Sequence, residues 1–517
     1  MRQCPSFGPH GLVPALAALA VLSVIVVWPR AVLAEETVAV DASRILRMAD
    51  SRQIGINVNY LLDDDANRPT AFSIEKAVEA MGVKSLRYPG GAKSDVTLWS
   101  RGDFKSPQPT LARTGPEEWP SNDARVYDLA DGAWKTRPMD LDAFMRLCRE
   151  TGAQPIVVLP YDSMNRPATK DGAVPDKNLL LQNAVSLVRY ANLEKGYGLK
   201  YFELGNESYL YTYDGGARAE DYARDYLLFR AALKGVDPNI QLGANGPQMA
   251  DAPGKLDEEE GRKTPWWQTV FSLAGKDIDF ISLHEYPCTG WYGYDYYRNN
   301  PVRMAGVDEI RKAARRFGPA NLAGRLRFYL TEFNSADWEG HPQNLGWKHV
   351  NTLGHALVVF DMIGVALADP AVETADLWST RWMENAVKPE LWDAIDPRNA
   401  LLPTGEALAV WTRNMGDRIV AATGSDKVAC HAAYDGTKRE LVVFLINKDA
   451  QRTVTAKLSG GRFGDKANAL IWSGTGPDDE APRFSWGQTV AVRDGQAALA
   501  LPPVSLTILR IPCEAKV

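Results

Sequence analysis

At 517 residues, 45% hydrophobic and 24% charged, the chain is long enough for one large domain plus a smaller one, and its composition excludes a disordered or fibrous protein. A formal net charge of -6, with acids and bases interspersed apart from the patch Asp257-Glu258-Glu259-Glu260, excludes a nucleic-acid footprint.

At the N-terminus, Arg2 precedes a mostly apolar stretch from Gly11 to Trp28. "PRAVLAEET" then sets Val32 and Ala34 in the small-residue positions of a signal-peptidase site. Residues 1–34 read as a secretory signal cleaved after Ala34, with an uncleaved anchor as the alternative. The expectation is a soluble periplasmic or extracellular protein, free of the membrane once the signal is removed. Cys4 leaves with that segment. Of the four cysteines that remain, Cys430 and Cys513 pair in an oxidising compartment or pack as reduced thiols, and no C-x-x-C or His-Cys spacing suggests a metal site.

Segment 35–52, with "TVAVDASRI", reads as a strand that joins the C-terminal region. From 53 to 416, eight apolar, β-prone runs alternate with helical patterns. The runs are "QIGINVNYL" (53–61), "KSLRYPGG" (84–91), "QPIVVLP" (154–160), "KYFELGNE" (200–207), "IQLGANGP" (240–247), "DFISLHEYP" (279–287), "RFYLTEFN" (327–334) and "ADLWSTRW" (375–382). Between them lie amphipathic stretches such as "LDAFMRLCRETG" and "AEDYARDYLLFRAALKG". Eight such units fit an α/β fold of the (β/α)8 TIM-barrel type better than a doubly wound sheet. After "PTGEALAVWTRNMG", alternating strands from "KVACHAAYD" to "QAALALPPVSLTILRIP" read as a C-terminal antiparallel β-sandwich over 417–517.

In such a barrel, chemistry gathers at the C-terminal ends of the strands, and three of them carry a carboxylate: Glu207, Glu285 and Glu332. Period-two alternation cannot aim both Asn206 and Glu207 into the mouth, so the fourth strand should stop near Gly205. Strands four and seven lie nearly across the mouth from each other. Carboxyl groups reaching in from both, Glu207 and Glu332, can flank a glycosidic bond at the roughly 5 Å spacing of a retaining glycosidase, one protonated and the other ionised.

These residues resemble those of the clan A glycoside hydrolases. "LGNE" (204–207), "LTEFN" (330–334), "RYPGG" (87–91) and "SLHEYP" (282–287) carry the likeness, which is greatest to the family 51 α-L-arabinofuranosidases. The resemblance implies Glu207 as acid/base, Glu332 as nucleophile and Asn206 as a partner of the sugar 2-hydroxyl. It also implies a carbohydrate substrate and no cofactor. The chain departs from that family with Ala92-Lys93 after PGG and Asn59-Tyr60 after strand one, which leaves β-xylosides, β-glucuronides and longer β-glycans as alternative substrates. Two further rivals are a barrel that binds carbohydrate without turnover and a transglycosylase.

Around the carboxylates, Tyr286 is positioned to bond the nucleophile and Arg87 to hold it ionised. His284 is a sugar-site candidate. Trp378 and Trp382, with Trp99 behind them, are candidates to stack on sugar faces, and "WYGYDYYRN" (291–299) is a candidate subsite wall. Glu285, flanked by His284 and Tyr286, reads as pointing sideways into a neighbouring strand. His341, His349 and His355 do not share a helical face, which argues against a metal.

Overall fold

The computed structural model describes residues 35–516 apart from 101–103, 105–106, 114–125, 129–132, 166–173, 211–215, 287–292, 337–347, 349 and 383–389. The signal read from residues 1–34 lies outside the described residues, as do Cys288, Trp291, Tyr292, His341 and His349.

The first strand, β1 (Glu35–Met48), precedes eight short parallel strands: β2 (Ile54–Asn57), β3 (Ser85–Tyr88), β4 (Gln154–Leu159), β5 (Tyr201–Leu204), β6 (Gln241–Asn245), β7 (Phe280–Glu285), β8 (Phe328–Phe333) and β9 (Val372–Leu377). They follow one another round a closed barrel, which β9 completes by pairing Ala375 with Ile54 and Leu377 with Ile56. Helices α1 (Ile74–Met81), α2 (Leu141–Thr151), α3 (Lys177–Val188), α4 (Ala219–Val236), α5 (Trp266–Ala274), α6 (Ala305–Phe317), α7 (Leu353–Ala368) and α8 (Pro403–Asn414) complete the βα units. Local chemistry starts several of them. Ser73, Asp140 and Asp176 each accept a first-turn backbone N–H, and Pro403 opens α8, where no N–H is needed.

The second sheet holds β1 and ten further strands: β10 (Arg418–Thr423), β11 (Val428–Asp435), β12 (Glu440–Asn447), β13 (Arg452–Ser459), β14 (Gly461–Phe463), β15 (Lys466–Ser473), β16 (Arg483–Trp486), β17 (Val490–Arg493), β18 (Gln496–Leu501) and β19 (Ser505–Ala515). It curls back on itself, since β19 pairs with β15 as well as with β12. β1 enters between β10, antiparallel, and β13, parallel, so the sheet is not purely antiparallel as the sequence suggested.

The unbroken apolar run of β12 is explained by its two faces. Leu441, Val443 and Leu445 fill the core within the curled sheet, while Val442, Phe444 and Ile446 join the core continuous with the barrel. There Phe444 and Phe360 pack on Trp411, and the Asp361 carboxylate takes bonds from Tyr297 (2.9 Å) and His431 (2.7 Å).

Two expectations are corrected here, and one alternative that the sequence left open is decided. The eighth barrel strand starts at Val372 and ends at Leu377, because the backbone beyond it turns to the segment around Trp392 rather than to a neighbouring strand (Ser379 N–H to Trp392 O, 2.9 Å). The run over 496–512 is two strands, split at Pro502-Pro503, where a ladder donor is missing. Cys430 and Cys513 are separate buried thiols.

Within the barrel, Gly55 leaves room for the buried Asp376 carboxyl, which burial pushes up to about 7. A Cβ at Gly55 would lie 1.7 Å from Asp376 Oδ1 and 2.6 Å from Ser85 Cβ. Gly55→Ala is expected to destabilise the protein by about 3 kcal/mol, the upper part of the overpacking range, read as a lower urea midpoint. An unchanged midpoint would contradict this packing.

Candidate active site

β5 stops at Leu204. Gly205 follows with φ +71° and Glu207 with φ +55°, both left-handed, and this break swings the chain out of the barrel wall. A Cβ at Gly205 would stand 2.5 Å from Asp162 Oδ2 and from Ser208 Oγ, so glycine is required for space as well as for φ. Asp162 fixes the turn by accepting from Asn206 N (3.2 Å) and Ser208 Oγ (2.8 Å).

On β8, a register shift places Glu332, not Thr331, opposite His284 of β7. Such an irregularity re-aims one side chain without disturbing the rest of the strand. Glu332 is thereby delivered to the mouth, almost buried. Its Oε1 accepts from Arg87 Nη1 at 2.8 Å and its Oε2 from the Tyr286 hydroxyl at 3.0 Å.

Arg87 is fully buried and every contact is directional. Nε donates to Glu203 Oε2 (2.8 Å), Nη1 also to Asn57 Oδ1 (2.9 Å), and Nη2 to Asn206 Oδ1 (2.8 Å). Burial opposes its charge, but the Glu203 and Glu332 carboxylates outweigh that and hold its pKa above the ordinary value.

His284 lies between the two mouth carboxylates. Its Nδ1 is 2.8 Å from Glu207 Oε1 and 3.5 Å from Glu332 Oε2. Those two oxygens can be no farther apart than the two contacts laid end to end. Burial alone would lower the imidazole's pKa, but Glu332 and Glu207 reverse this and raise it. For Glu207 the balance is the mirror image: burial, the largest single influence, raises it, but His284 together with Arg87 and Tyr209 outweighs burial, and the net shift is downward. Tyr209 donates weakly to the same carboxylate at 3.4 Å.

The structure thus brings together Glu207, Glu332, Asn206, Arg87, His284 and Tyr286. Trp378 and Trp382 stand on the loop after β9, half-buried and edge to face, centroids 5.9 Å apart. The Trp378 ring covers Gly90 and Gly91, and the Lys93 ammonium sits 4.1 Å from the centroid of Trp382, so one face of that ring already carries a cation. Trp99 is buried, bonded through Nε1 to Ser186 Oγ (2.9 Å) and packed on Tyr190, away from the mouth. Glu285 does not point into a neighbouring strand: it turns to the first turn of α6, accepting from Gly306 N (3.1 Å), and burial pushes it up to about 8. Tyr294 and Tyr297 of the proposed subsite wall are buried on a short helix, Gly293–Asn299, whose Tyr297 faces Asp361. His355 is also buried, 2.5 Å from Ser335 Oγ.

Of the positions that depart from the family pattern, Asn59 bonds backbone at Leu61 N and Arg381 O, and Tyr60 bonds Thr97 Oγ1. Glu203 and Asn57 were not singled out in the sequence. The usable signal was alternation along "YFEL", which turns Glu203 to the inside of the barrel.

A parallel barrel with an attached β-sandwich and carboxylates at the ends of its fourth and seventh strands resembles the clan A glycoside hydrolases. In particular, the chain is similar in sequence and in fold to the family 51 α-L-arabinofuranosidases. It is 26% identical over 302 residues to an intracellular exo-α-L-arabinofuranosidase of Bacteroides ovatus, covering 54% of this chain and 52% of that one. The chain spans about half or less of the length of the curated relatives it matches. No protein-family model matches it. In fold it is similar to the family 51 α-L-arabinofuranosidase of Thermotoga petrophila RKU-1, with a TM-score of 0.66 at 18% identity over 92% of this chain and 99% of the other. It is also similar to CelM2, a bifunctional glucanase-xylanase from a metagenome library, with a TM-score of 0.64 at 16% identity over 93% and 99%.

The geometry predicts that His284 titrates above its ordinary value of 6.5 and that Glu207→Gln lowers its midpoint, because one of the two anions that offset burial is gone. Histidine NMR titration reads this directly. A midpoint that does not move would contradict the pairing.

Proposed function

We propose that the chain is a retaining O-glycoside hydrolase working by double displacement. One observation supports the reading: two carboxylates from different strand ends meet at one imidazole, Glu207 Oε1 at 2.8 Å and Glu332 Oε2 at 3.5 Å from His284 Nδ1, an approach in keeping with the close carboxyl pair of a retaining enzyme. Glu332, oriented by Arg87 and Tyr286, attacks the anomeric carbon. Glu207 protonates the leaving oxygen, then takes a proton from the water that releases the sugar. With Oδ1 of Asn206 held by Arg87, its amide nitrogen remains to donate to a sugar hydroxyl.

Because His284 biases Glu207 toward its ionised form, the proton for the leaving group is stored in the Glu207–His284 pair, not on the carboxyl alone. The alkaline limb of kcat/KM then reports loss of that shared proton. His284→Gln is expected to displace the limb, since the Glu207 carboxyl must then hold the proton unaided. A limb left in place would remove His284 from the proton path.

The substrate we infer is an α-L-arabinofuranoside, supported by the family 51 likeness. A β-glycan is the second reading, favoured by Asn59-Tyr60 and Ala92-Lys93 near the mouth. Chromophore release from aryl α-L-arabinofuranoside, β-D-xyloside, β-D-glucoside and β-D-glucuronide separates them. Glu332→Ala is expected to lower kcat by on the order of a thousandfold with the fold intact; near-normal turnover would overturn the hydrolase reading. We also propose export, from the leader-like pattern of residues 1–34, although the Bacteroides ovatus relative is named intracellular. Fractionation of cells expressing the chain tests this, and a full-length cytoplasmic product would contradict it.

A further inference from the structure

We propose that Glu203 is a positioning residue for the nucleophile: it sets the orientation and the effective charge of Arg87, and through Arg87 those of Glu332. The inference rests on the hydrolase reading above and concerns a side chain inside the barrel, beneath the mouth.

A carboxylate in the middle of a barrel strand is unfavourable unless its oxygens are fully engaged. Glu203 meets that demand in one arrangement. Oε2 accepts from Arg87 Nε at 2.8 Å, while Oε1 accepts from Ser282 Oγ and, at 3.5 Å, from Thr331 Oγ1; those two hydroxyls are 2.6 Å apart. The donors come from β3, β7 and β8, so the carboxylate is fixed from three strands. Asp376 on β9 and the Tyr222 hydroxyl on α4 also feel it.

A guanidinium is a rigid plane, and holding Nε fixes where Nη1 and Nη2 point. With Nε held by Glu203, Nη1 reaches Glu332 and Asn57, and Nη2 reaches Asn206. Two residues of the proposed chemistry are thus aimed by one contact beneath them. The same contact divides the charge. One cation stands between two buried carboxylates, so Glu203 draws off part of the field that Arg87 would otherwise exert on Glu332 alone. Among the described residues, Tyr286 and His284 are further polar groups against Glu332.

Glu203→Gln keeps the length and an acceptor but removes the anion. Arg87 then acts undivided on Glu332, which favours its ionised form and weakens it as a nucleophile. The expected result is a kcat reduced ~10-fold with KM little changed, and an acid limb of kcat/KM displaced to lower pH. Glu203→Asp keeps the charge but shortens the reach, and should lower kcat while leaving the acid limb in place. A merely structural Glu203 would show losses that follow the melting temperature with an unmoved limb in both variants, and that outcome overturns the proposal.

Should Glu203→Gln fail to fold, Ser282→Ala carries the test. It strips one donor from the same carboxylate, which then draws more on Arg87, and the acid limb should move to higher pH; no movement overturns the proposal. Glu332→Ala assayed alongside separates the two readings. Full turnover there refutes the hydrolase itself, whereas loss there combined with wild-type behaviour of Glu203→Gln refutes only the role of Glu203.

Discussion

The arrangement of the mouth depends on one buried cation. Arg87 has no exposed surface, and it joins β2, β3, β5 and β8 through Asn57, Glu203, Asn206 and Glu332. A buried guanidinium without anions would be unfavourable by several kcal/mol, and a buried carboxylate without a cation equally so. Each therefore requires the other, and the strands that carry them must close into a barrel for the contacts to exist. The polar floor is weak evidence of stability, since apolar residues of the same volume often pack as well. Its effect is on geometry: it leaves one orientation for Glu332.

The sequence supplied the strand count, the alternation and the strand-end carboxylates, because each is a local pattern. Gly205 marked where β5 had to break, and the break occurs there. Arg87 and Tyr286 were legible as neighbours of Glu332, because strands two, six and seven converge on the mouth. Glu203 was not, because "KYFEL" reads as an apolar run with one charge and a barrel interior is expected to be apolar. Nor was the pairing of Glu207 with His284 foreseen as a shared proton site. That contact joins the turn after β5 to the end of β7, two segments far apart in the chain, and no local pattern relates them. The tryptophans divided for a similar reason. Trp378 and Trp382 follow a strand end and stand beside Gly90, Gly91 and Lys93, whereas Trp99 finds hydrogen-bond partners on α3 and packs there.

The sandwich is not a loosely attached appendage. β12 is buried on both faces, and His431 of β11 bonds Asp361 of α7, the helix that follows β8. Tyr297, on the short helix after β7, bonds the same carboxylate. The segments that follow β7 and β8 are therefore tied to the second sheet through Asp361, so the all-β unit braces one side of the barrel. β1 reinforces the connection by passing from the sandwich sheet directly into β2.

The central claim is that Glu332 forms a covalent bond to the sugar. Glu207→Ala should still accept an activated aryl glycoside, whose leaving group needs no acid, but release the sugar slowly for want of a base. Rapid quenching followed by intact-mass measurement and peptide mapping should then show one added glycosyl group on the peptide that contains Glu332. A label on any other residue, or turnover with no covalent species accumulating, would contradict the account.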